Sequence, residues 1–401
     1  MKILFLTNKP PYPQKDGGSI ASMGMIEAFA DSGHQVTVLA MNTRKHHISP
    51  FEIPENISSK IIFHLVEVPA KILPVDALVN LISSKLPYNA QRFISNTYRE
   101  KLKMLLQATD FDIIQLEGLY LYPYINTIRK YSKALISYRS HNIEHEIWER
   151  TVAQSRGLKK LYLKILTSRL KNFEKNAINT YDTLIPITKR DENKLSEMGN
   201  MKPTLTIPAG FNFDEPELQE QPASADNLFF IGALDWTPNQ EGLFWFLDNC
   251  WQMILDKKPQ TKLKIAGRNA PSWIPEKLLN YPNIKYVGEV ESAQSYMRKN
   301  GIMIAPLLSG SGMRVKIIEA MMYQKCIITT PVGCEGIDAV NNEHLFVAKN
   351  ESQFSDIAIN LLTDKNKVLD TGEKAYNFVR AAYDNHKLIE KLTSFYNQQL
   401  K

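Results

Sequence analysis

Short β-branched apolar runs recur along the first half of the chain: KILFLT (2–7), QVTVLA (35–40), KIIFHLVEV (60–68), DIIQL (112–116), ALISY (134–138), TLIPI (183–187) and TLTIP (204–208). Segments of helical period lie between most of them, among them 19–30 and 89–106. Short buried strands alternating with helices predict a parallel α/β sheet covered on both faces. From 209 to 227 the sequence AGFNFDEPELQEQPASADN is acidic, holds two prolines and loses its apolar period, as a linker does. The alternation then restarts with NLFFIGAL (227–234), KLKIAG (262–267), IKYV (284–287), IMIAPL (302–307), CIITT (326–330) and HLFVA (344–348). The pattern predicts two doubly wound domains, 1–208 and 227–382, joined by a linker at 209–226. Residues 383–401 are expected to form a helix that packs back on the first domain. Such domains face a central cleft at the carboxyl ends of their strands, where sheets of this kind bind ligands.

A chain of 401 residues suits two domains better than one enlarged core. Its 44% hydrophobic and 22% charged residues exclude collagen-like, disordered and disulfide-scaffold classes. Cys250, Cys326 and Cys334 form no Cys-x-x-Cys pair and no disulfide framework, which points to a reduced, cytoplasmic setting. The run KILFL is too short for the apolar region of a signal peptide, and no uncharged apolar stretch is long enough to span a membrane. Of the net charge of +6, residues 1–205 hold 28 Lys and Arg against 19 Asp and Glu, a balance of +9; the remainder holds 20 against 23, or −3. The first half is therefore the one suited to an anionic surface. A nucleic-acid binder would be more basic, with aromatics among clustered charges, so nucleic acid is not an expected partner.

The stretch richest in candidate chemistry is PLLSGSGMRVKIIEAM, 306–321. It leaves a predicted strand, passes through a small-residue turn (Ser309, Gly310, Ser311, Gly312) and Met313, and enters a helix whose apolar positions Val315, Ile318 and Met322 share a face. Glycine allows close backbone approach, and free N–H groups at a helix start attract phosphate. Arg314 and Lys316 add positive charge, and Glu319 can accept two hydrogen bonds from a vicinal diol such as a ribose. Together they make a grip for a nucleoside diphosphate. On composition alone the same stretch is equally a glycine-rich strand-to-helix turn with solvated charges.

With CIITTPVGCEGI after it, this stretch resembles the donor-binding signature of the family 4 retaining glycosyltransferases, group 1 type. These have the glycosyltransferase B fold of two Rossmann-like domains. IGALDWTPNQEGLFWF (231–246), AGR (266–268) and TIPAGFN (206–212) extend the resemblance over most of the chain. It implies that Glu319 binds the ribose hydroxyls and that the preceding turn meets the diphosphate. Two positions depart from the family's pattern. Ser311 stands where many members carry a first glutamate, and Ala233, Asn239 and Gln240 stand where many carry an Arg and Lys pair. Similarity to the subgroup with a Gly-x-Arg-x-Lys pattern assigns the cationic grip to Arg314 and Lys316.

In the first half, TNKPPYPQKDGGSI has no Gly-x-Gly-x-x-Gly after the first strand, which disfavours a dehydrogenase. A long loop instead delivers Gly17 and Gly18 to a helix opened by Ser19. Their N–H groups can meet a donor phosphate, as the similar Gly-Gly loop of the family implies, or simply begin a helix. RSHNIEHEIWER (139–150) holds His141, Glu144 and His145 in the His-x-x-Glu-His order of inverted zinc peptidases. The resemblance instead places His141 at a strand end facing the sugar and acceptor, with Glu117 at the preceding strand end as a second catalytic candidate. As alternatives, Glu117 caps the following helix and His145 packs against Trp148. The pair Asp110 and Asp112 precedes a strand, and no metal site is expected.

Taken together, these features predict a cytoplasmic, metal-independent retaining glycosyltransferase. It would use a nucleotide-sugar donor and a saccharide or lipid-linked acceptor, with no cofactor. A nucleotide-sugar epimerase of the same fold, an inactive donor-binding subunit and a zinc hydrolase are the alternatives. Residues 156–175, RGLKKLYLKILTSRLKNFEK, carry seven basic residues and one acidic one among leucines. They predict a helix that either lies on an anionic membrane surface or packs in the core behind a solvated basic face.

Overall fold

The computed structural model describes residues 1–213, 227–310 and 313–401. It forms two compact units, Met1–Phe211 with Asn385–Lys401, and Asn212–Asp384. The stretch 214–226, most of the expected linker, lies outside the described residues, as do Ser311 and Gly312.

The first unit holds a six-stranded sheet of β1 (Lys2–Thr7), β2 (Gln35–Asn42), β3 (Ile61–Glu67), β4 (Ile113–Glu117), β5 (Leu135–Ser140) and β6 (Thr183–Pro186). The strands are parallel throughout, in the order β3-β2-β1-β4-β5-β6. The second unit repeats the plan with β7 (Leu228–Ile231), β8 (Leu263–Ala266), β9 (Ile284–Gly288), β10 (Ile302–Ala305), β11 (Ile327–Thr329) and β12 (Phe346–Val347), in the order β12-β11-β10-β7-β8-β9. Each order reverses once, at β1/β4 and at β7/β10, and loops leaving neighbouring strands there part to opposite faces of the sheet. The register sets Thr7 beside Glu117 at the first reversal.

Helices that bear on function are α1 (Gly17–Asp31), α2 (Pro74–Ser83), α3 (Glu144–Gln154), α4 (Gly157–Ala177), α5 (Thr237–Asn249), α6 (Val315–Met322) and α7 (Asn385–Gln399). The C-terminal α7 belongs to the first unit, where Leu388, Ile389, Leu392 and Tyr396 join the core that also holds Ile26 and Phe29 of α1. The Tyr396 ring stacks on Phe29, centroids 6.4 Å apart. Leu170, Phe173 and Ala177 of α4 lie in the core on the other side of the sheet, while Leu158 and Leu161 of its first turns are exposed. Core packing thus accounts for the basic helix from Leu163 onward and not for Leu158 and Leu161 of its first turns.

Three local expectations change. TLTIP (204–208) runs beside β6 through Leu205 N–H to Leu184 O and Ile207 N–H to Pro186 O, both 3.0 Å. It forms no strand, because Pro186, Pro203 and Pro208 supply no N–H to a ladder. The helix expected over 89–106 is two helices, because the Ser95 hydroxyl caps a new start at Asn96 by accepting from Tyr98 N–H. And α6 buries Ile317, Ile318, Met321 and Met322, whereas Val315 is only half-buried.

The loop leaving β10 is positioned by a close helix approach. A Cβ on Gly242 of α5 would overlap the Pro306 carbonyl oxygen, a backbone atom that cannot swing aside. Gly242→Ala therefore tests that contact. Helix propensity alone would favour alanine by about 1 kcal/mol, but the overlap is expected to win, with a net loss of about 1–3 kcal/mol in urea unfolding. A variant as stable as the wild type would show that α5 does not hold the loop.

Candidate functional site

Two clusters form at the carboxyl ends of the strands, one in each unit. In the second unit the chain leaves β10 through Pro306 to Gly310, and Arg314 stands at the start of α6. Gly310 has φ +120°, and a Cβ there would press on the Arg314 guanidinium and the Trp236 ring, each 3.2 Å away. Glycine suits the position, because L side chains rarely adopt this backbone angle and the flanking groups would have to shift to admit one. Trp236 comes from the loop after β7, so the two strands of the reversal contribute jointly. Arg314 is buried, unlike a solvated surface cation. On α6 the Lys316 ammonium lies 2.7 Å from the Glu319 carboxylate, on the face turned away from the core. The predicted ribose acceptor and one predicted phosphate cation are thus ion-paired. Met313, between Gly310 and Arg314 in sequence, is half-buried, while Ser311 and Gly312 lie outside the described residues.

Where the resembled family often carries a cationic pair, Asn239 donates to Ala233 O (2.9 Å) and Gln240 to Leu234 O (2.6 Å). These amides brace the loop after β7 from within, and their neutrality leaves Arg314 and Lys316 as the cations of this turn. Thr330 after β11 bonds the Leu307 carbonyl and holds the turn from the other side.

In the first unit Glu117 ends β4 and is buried. Its carboxylate accepts from Ser22 Oγ of α1 (2.6 Å) and His141 Nε2 (2.8 Å), and from the Gln115 amide; the Arg139 guanidinium nitrogen Nε lies 3.9 Å away. Burial pushes the Glu117 pKa up. The hydrogen bond and charge of His141, the charge of Arg139 and the Ser22 hydroxyl outweigh it and hold the group at about 2. The Glu117 carboxylate is thus held in its charged form, hydrogen-bonded to His141 Nε2. It does not cap the helical turn that follows it. His141 is half-buried with Nε2 committed to Glu117, and its Nδ1 has no hydrogen-bond partner among the described residues.

Sequence reasoning passed over Arg139 and Ser22. Arg139 is fully buried in β5, donating to Met25 Sδ (2.7 Å) and to Pro208 O (3.3 Å). The signal was available as a lone cation near the end of the buried strand LISYRS. Trp236 was also missed, although an aromatic following a Gly-rich strand end is a recognisable feature.

Gly17 and Gly18 lie in the first unit, and the glycine turn after β10 lies in the second. The helix they begin is capped by Asp16, not opened by Ser19: Asp16 Oδ1 accepts from Ser19 N–H (2.9 Å), and Ser19 Oγ accepts from Asp16 N–H (3.0 Å). Both residue types cap helices, and the reciprocal pair puts the start two residues earlier. Lys9 clamps both Asp16 oxygens at 2.6 Å. Burial raises the Asp16 pKa, and Lys9 more than offsets this, bringing it to about 2. Two N–H donors, of Gly17 and Gly18, thus remain beside an already neutralised carboxylate.

The His-x-x-Glu-His residues do not converge. His141 precedes α3 and binds Glu117, whereas His145 Nδ1 binds Glu174 Oε2 (2.6 Å) and not Trp148. Glu174 of α4 also accepts from the N–H groups of Glu144 (3.0 Å) and His145 (3.2 Å), capping α3 across the helix pair. The Glu144 carboxyl accepts from Tyr120 OH (2.8 Å) and is pushed up to about 7, chiefly by burial. Asp112 accepts from Lys2 N–H (2.7 Å) at the opposite, amino end of the sheet. Among the described residues no three His, Cys, Asp or Glu groups gather as a metal site.

Glu117→Gln keeps shape and removes charge. It is expected to cost about 3 kcal/mol or more at neutral pH, because Arg139 and His141 lose a buried partner. The folded pKa of about 2 lies below the ordinary 4.5. The carboxylate's stabilisation is therefore complete above the ordinary value and is lost as pH falls towards the folded one. Urea unfolding should then show wild type and variant converging between those limits. A gap that stays constant with pH would mean that the charge does not matter.

Residues 225–364 match the family model described as "Glycosyl transferases group 1". A curated relative from Klebsiella pneumoniae, an "uncharacterized 44.6 kDa protein in cps region", is 24% identical over 98% of both chains. Among solved structures, sucrose-phosphate synthase from Thermosynechococcus elongatus superposes with a TM-score of 0.71 at 16% identity, over 99% of both chains. TarM gives 0.72 at 11% identity over 99% of both. HepE of Anabaena in complex with UDP gives 0.67 at 12% identity, over 99% of this chain and 100% of that one. The segment that carries the Trp236, Gly310 and Arg314 cluster thus matches the group 1 glycosyl transferase model, within a chain that has the glycosyltransferase B fold.

Proposed function

We propose that this protein transfers a sugar, with retention, from a nucleoside diphosphate donor to a saccharide or lipid-linked acceptor in cell-surface polysaccharide or glycolipid synthesis. The observation that carries the reading is the crowded Gly310 backbone between Trp236 and Arg314 at the β7/β10 reversal, followed by Lys316 and Glu319 on α6. Such a turn can hold a diphosphate against backbone and guanidinium while Glu319 binds the ribose diol. HepE, solved with UDP and with UDP-glucose, makes uridine nucleotides the first donors to try. The Klebsiella relative supports the polysaccharide setting.

The leaving group is a diphosphate whose charge grows as the glycosidic bond breaks. Arg314, Lys316 and helix N-termini stabilise that charge, so no metal is needed. The departing phosphate takes the acceptor's proton on the face it leaves, which gives retention. His141, held by Glu117 and Arg139, orients the sugar and acceptor. The basic first half of α4 meets an anionic membrane face, where a lipid-linked acceptor would be presented.

A panel of nucleotide sugars, with and without cell lipid extract, tests the reading. Nucleoside diphosphate release that requires the extract and survives EDTA is expected. Turnover of the donor without any acceptor would favour an epimerase, binding without turnover a donor-binding subunit, and loss on chelation restored by metal a metal-dependent enzyme.

Residue roles separate by which constant changes. Glu319→Ala should lower donor affinity by tenfold or more in calorimetry, since each charged hydrogen bond is worth about 1.5–3 kcal/mol. The lost ion pair with Lys316, partly exposed, should cost less than about 1 kcal/mol of stability. Arg314→Ala and Lys316→Ala should chiefly lower kcat. Unchanged affinity in folded Glu319→Ala would remove the ribose assignment.

A further inference from the structure

The apolar stripe of α2 points outward. Val75, Leu78, Val79 and Ile82 follow helical spacing i, i+3, i+4, i+7, the pattern that ordinarily faces a core. All four are exposed, Val75 at 69% and Ile82 at 90%, and Ile72 just before the helix is 72% exposed. The one fully buried residue of the helix is Asn80. The helix is nevertheless firmly seated. Ala77 packs on the cluster of Tyr88, Leu163 and Leu166. The Arg169 guanidinium of α4 donates to Asn80 O (3.2 Å) and Leu81 O (2.7 Å). Tyr88 OH receives Leu73 N–H and donates to Lys71 O, both at 3.0 Å. The outward stripe is thus fixed in place by the inward face.

Beside it, the first turns of α4 expose Leu158, 87% accessible, and Leu161. Exposed cations surround the two helices: Lys71 and Lys85 flank α2, and Arg156, Lys159 and Lys164 belong to α4 or its start, against the single acid Asp76 on α2. We propose that α2 and the start of α4 form a bilayer-docking surface, in which the α2 stripe enters the headgroup and acyl boundary of an anionic leaflet while the lysines meet its phosphates. Two observations choose this occupant. Apolar residues ringed by cations complement a surface that is anionic outside and apolar beneath. A second copy seated by two-fold symmetry would instead set these cations against their own equivalents.

The inference rests on the contact proposed above for residues 156–175 and adds an inserting element that charge alone would not require. Two variant sets separate the claims: Val75→Glu with Ile82→Glu on α2, and Lys159, Lys160 and Lys164 each changed to Glu on α4. The full chain is floated with phosphatidylglycerol-containing and pure phosphatidylcholine vesicles at low and high salt, with circular dichroism and urea unfolding as controls for folding. The wild type is expected on anionic vesicles only. The α2 variant should lose about tenfold or more of that binding at either salt, and the lysine variant should lose it chiefly at low salt. If the α2 variant floats like the wild type while the lysine variant does not, insertion by α2 is overturned and the electrostatic contact stands. If the wild type binds no vesicle, both are overturned, and a dimer abolished by the α2 substitutions would identify a second copy as the occupant.

Discussion

A carboxylate removed from water must be surrounded by donors or it loses its charge, and Glu117 meets that demand with groups drawn from several parts of the first unit. Ser22 fixes how α1 lies over the sheet, Arg139 commits β5 to a central place, and His141 is drawn to the end of the next strand. Gln115 carries the network further, accepting from Tyr396 OH at 2.7 Å, so that α7 is tied to the same anion at one remove. The cluster orders the strand ends where a ligand would lie, and it is the strand order that brings Glu117 beside β1 in the first place.

The second unit has the same strand plan and solves its corresponding end differently. Among the described residues no buried carboxylate governs it. Instead, backbone is brought against backbone: a Cβ on Gly267 would overlap Gly232 O, and one on Gly242 would overlap Pro306 O. Close approach of this kind leaves no room for a side chain at Gly242 or Gly267. The twin sheets are thus braced at this end by buried charge in one unit and by close backbone in the other.

Much of this was legible in the sequence because parallel strands, buried on both faces, read as unbroken apolar runs. All twelve strands fall on such runs. TLTIP failed for want of donors, since apolar content says nothing about whether N–H groups are present. The histidine motif, set aside in the sequence as a zinc site, would share one helical face only if both residues were helical, and α3 begins after His141. Periodicity also gives a helix an apolar stripe without saying which way it faces, and α2 carries such a stripe outward. The Glu319 position was legible from its motif; its pairing with Lys316 was not, since i, i+3 charges meet or part according to rotamer. Arg139 was hidden by the habit of reading cations as surface.

The return of the C-terminal helix has a consequence for how the molecule comes into being. Residues 1–211 emerge from the ribosome first, yet the core they build has a place that only 385–401 fills. Until then Phe29 lacks the ring it stacks on, and the Ser137 hydroxyl and Gln115 amide lack the Tyr396 phenol that each meets at 2.7 Å. The intervening unit, continuous in sequence, can close as soon as it is made. The domain translated first is therefore finished last, and a chain cut short within its final turns would carry a complete second unit on an unfinished first one.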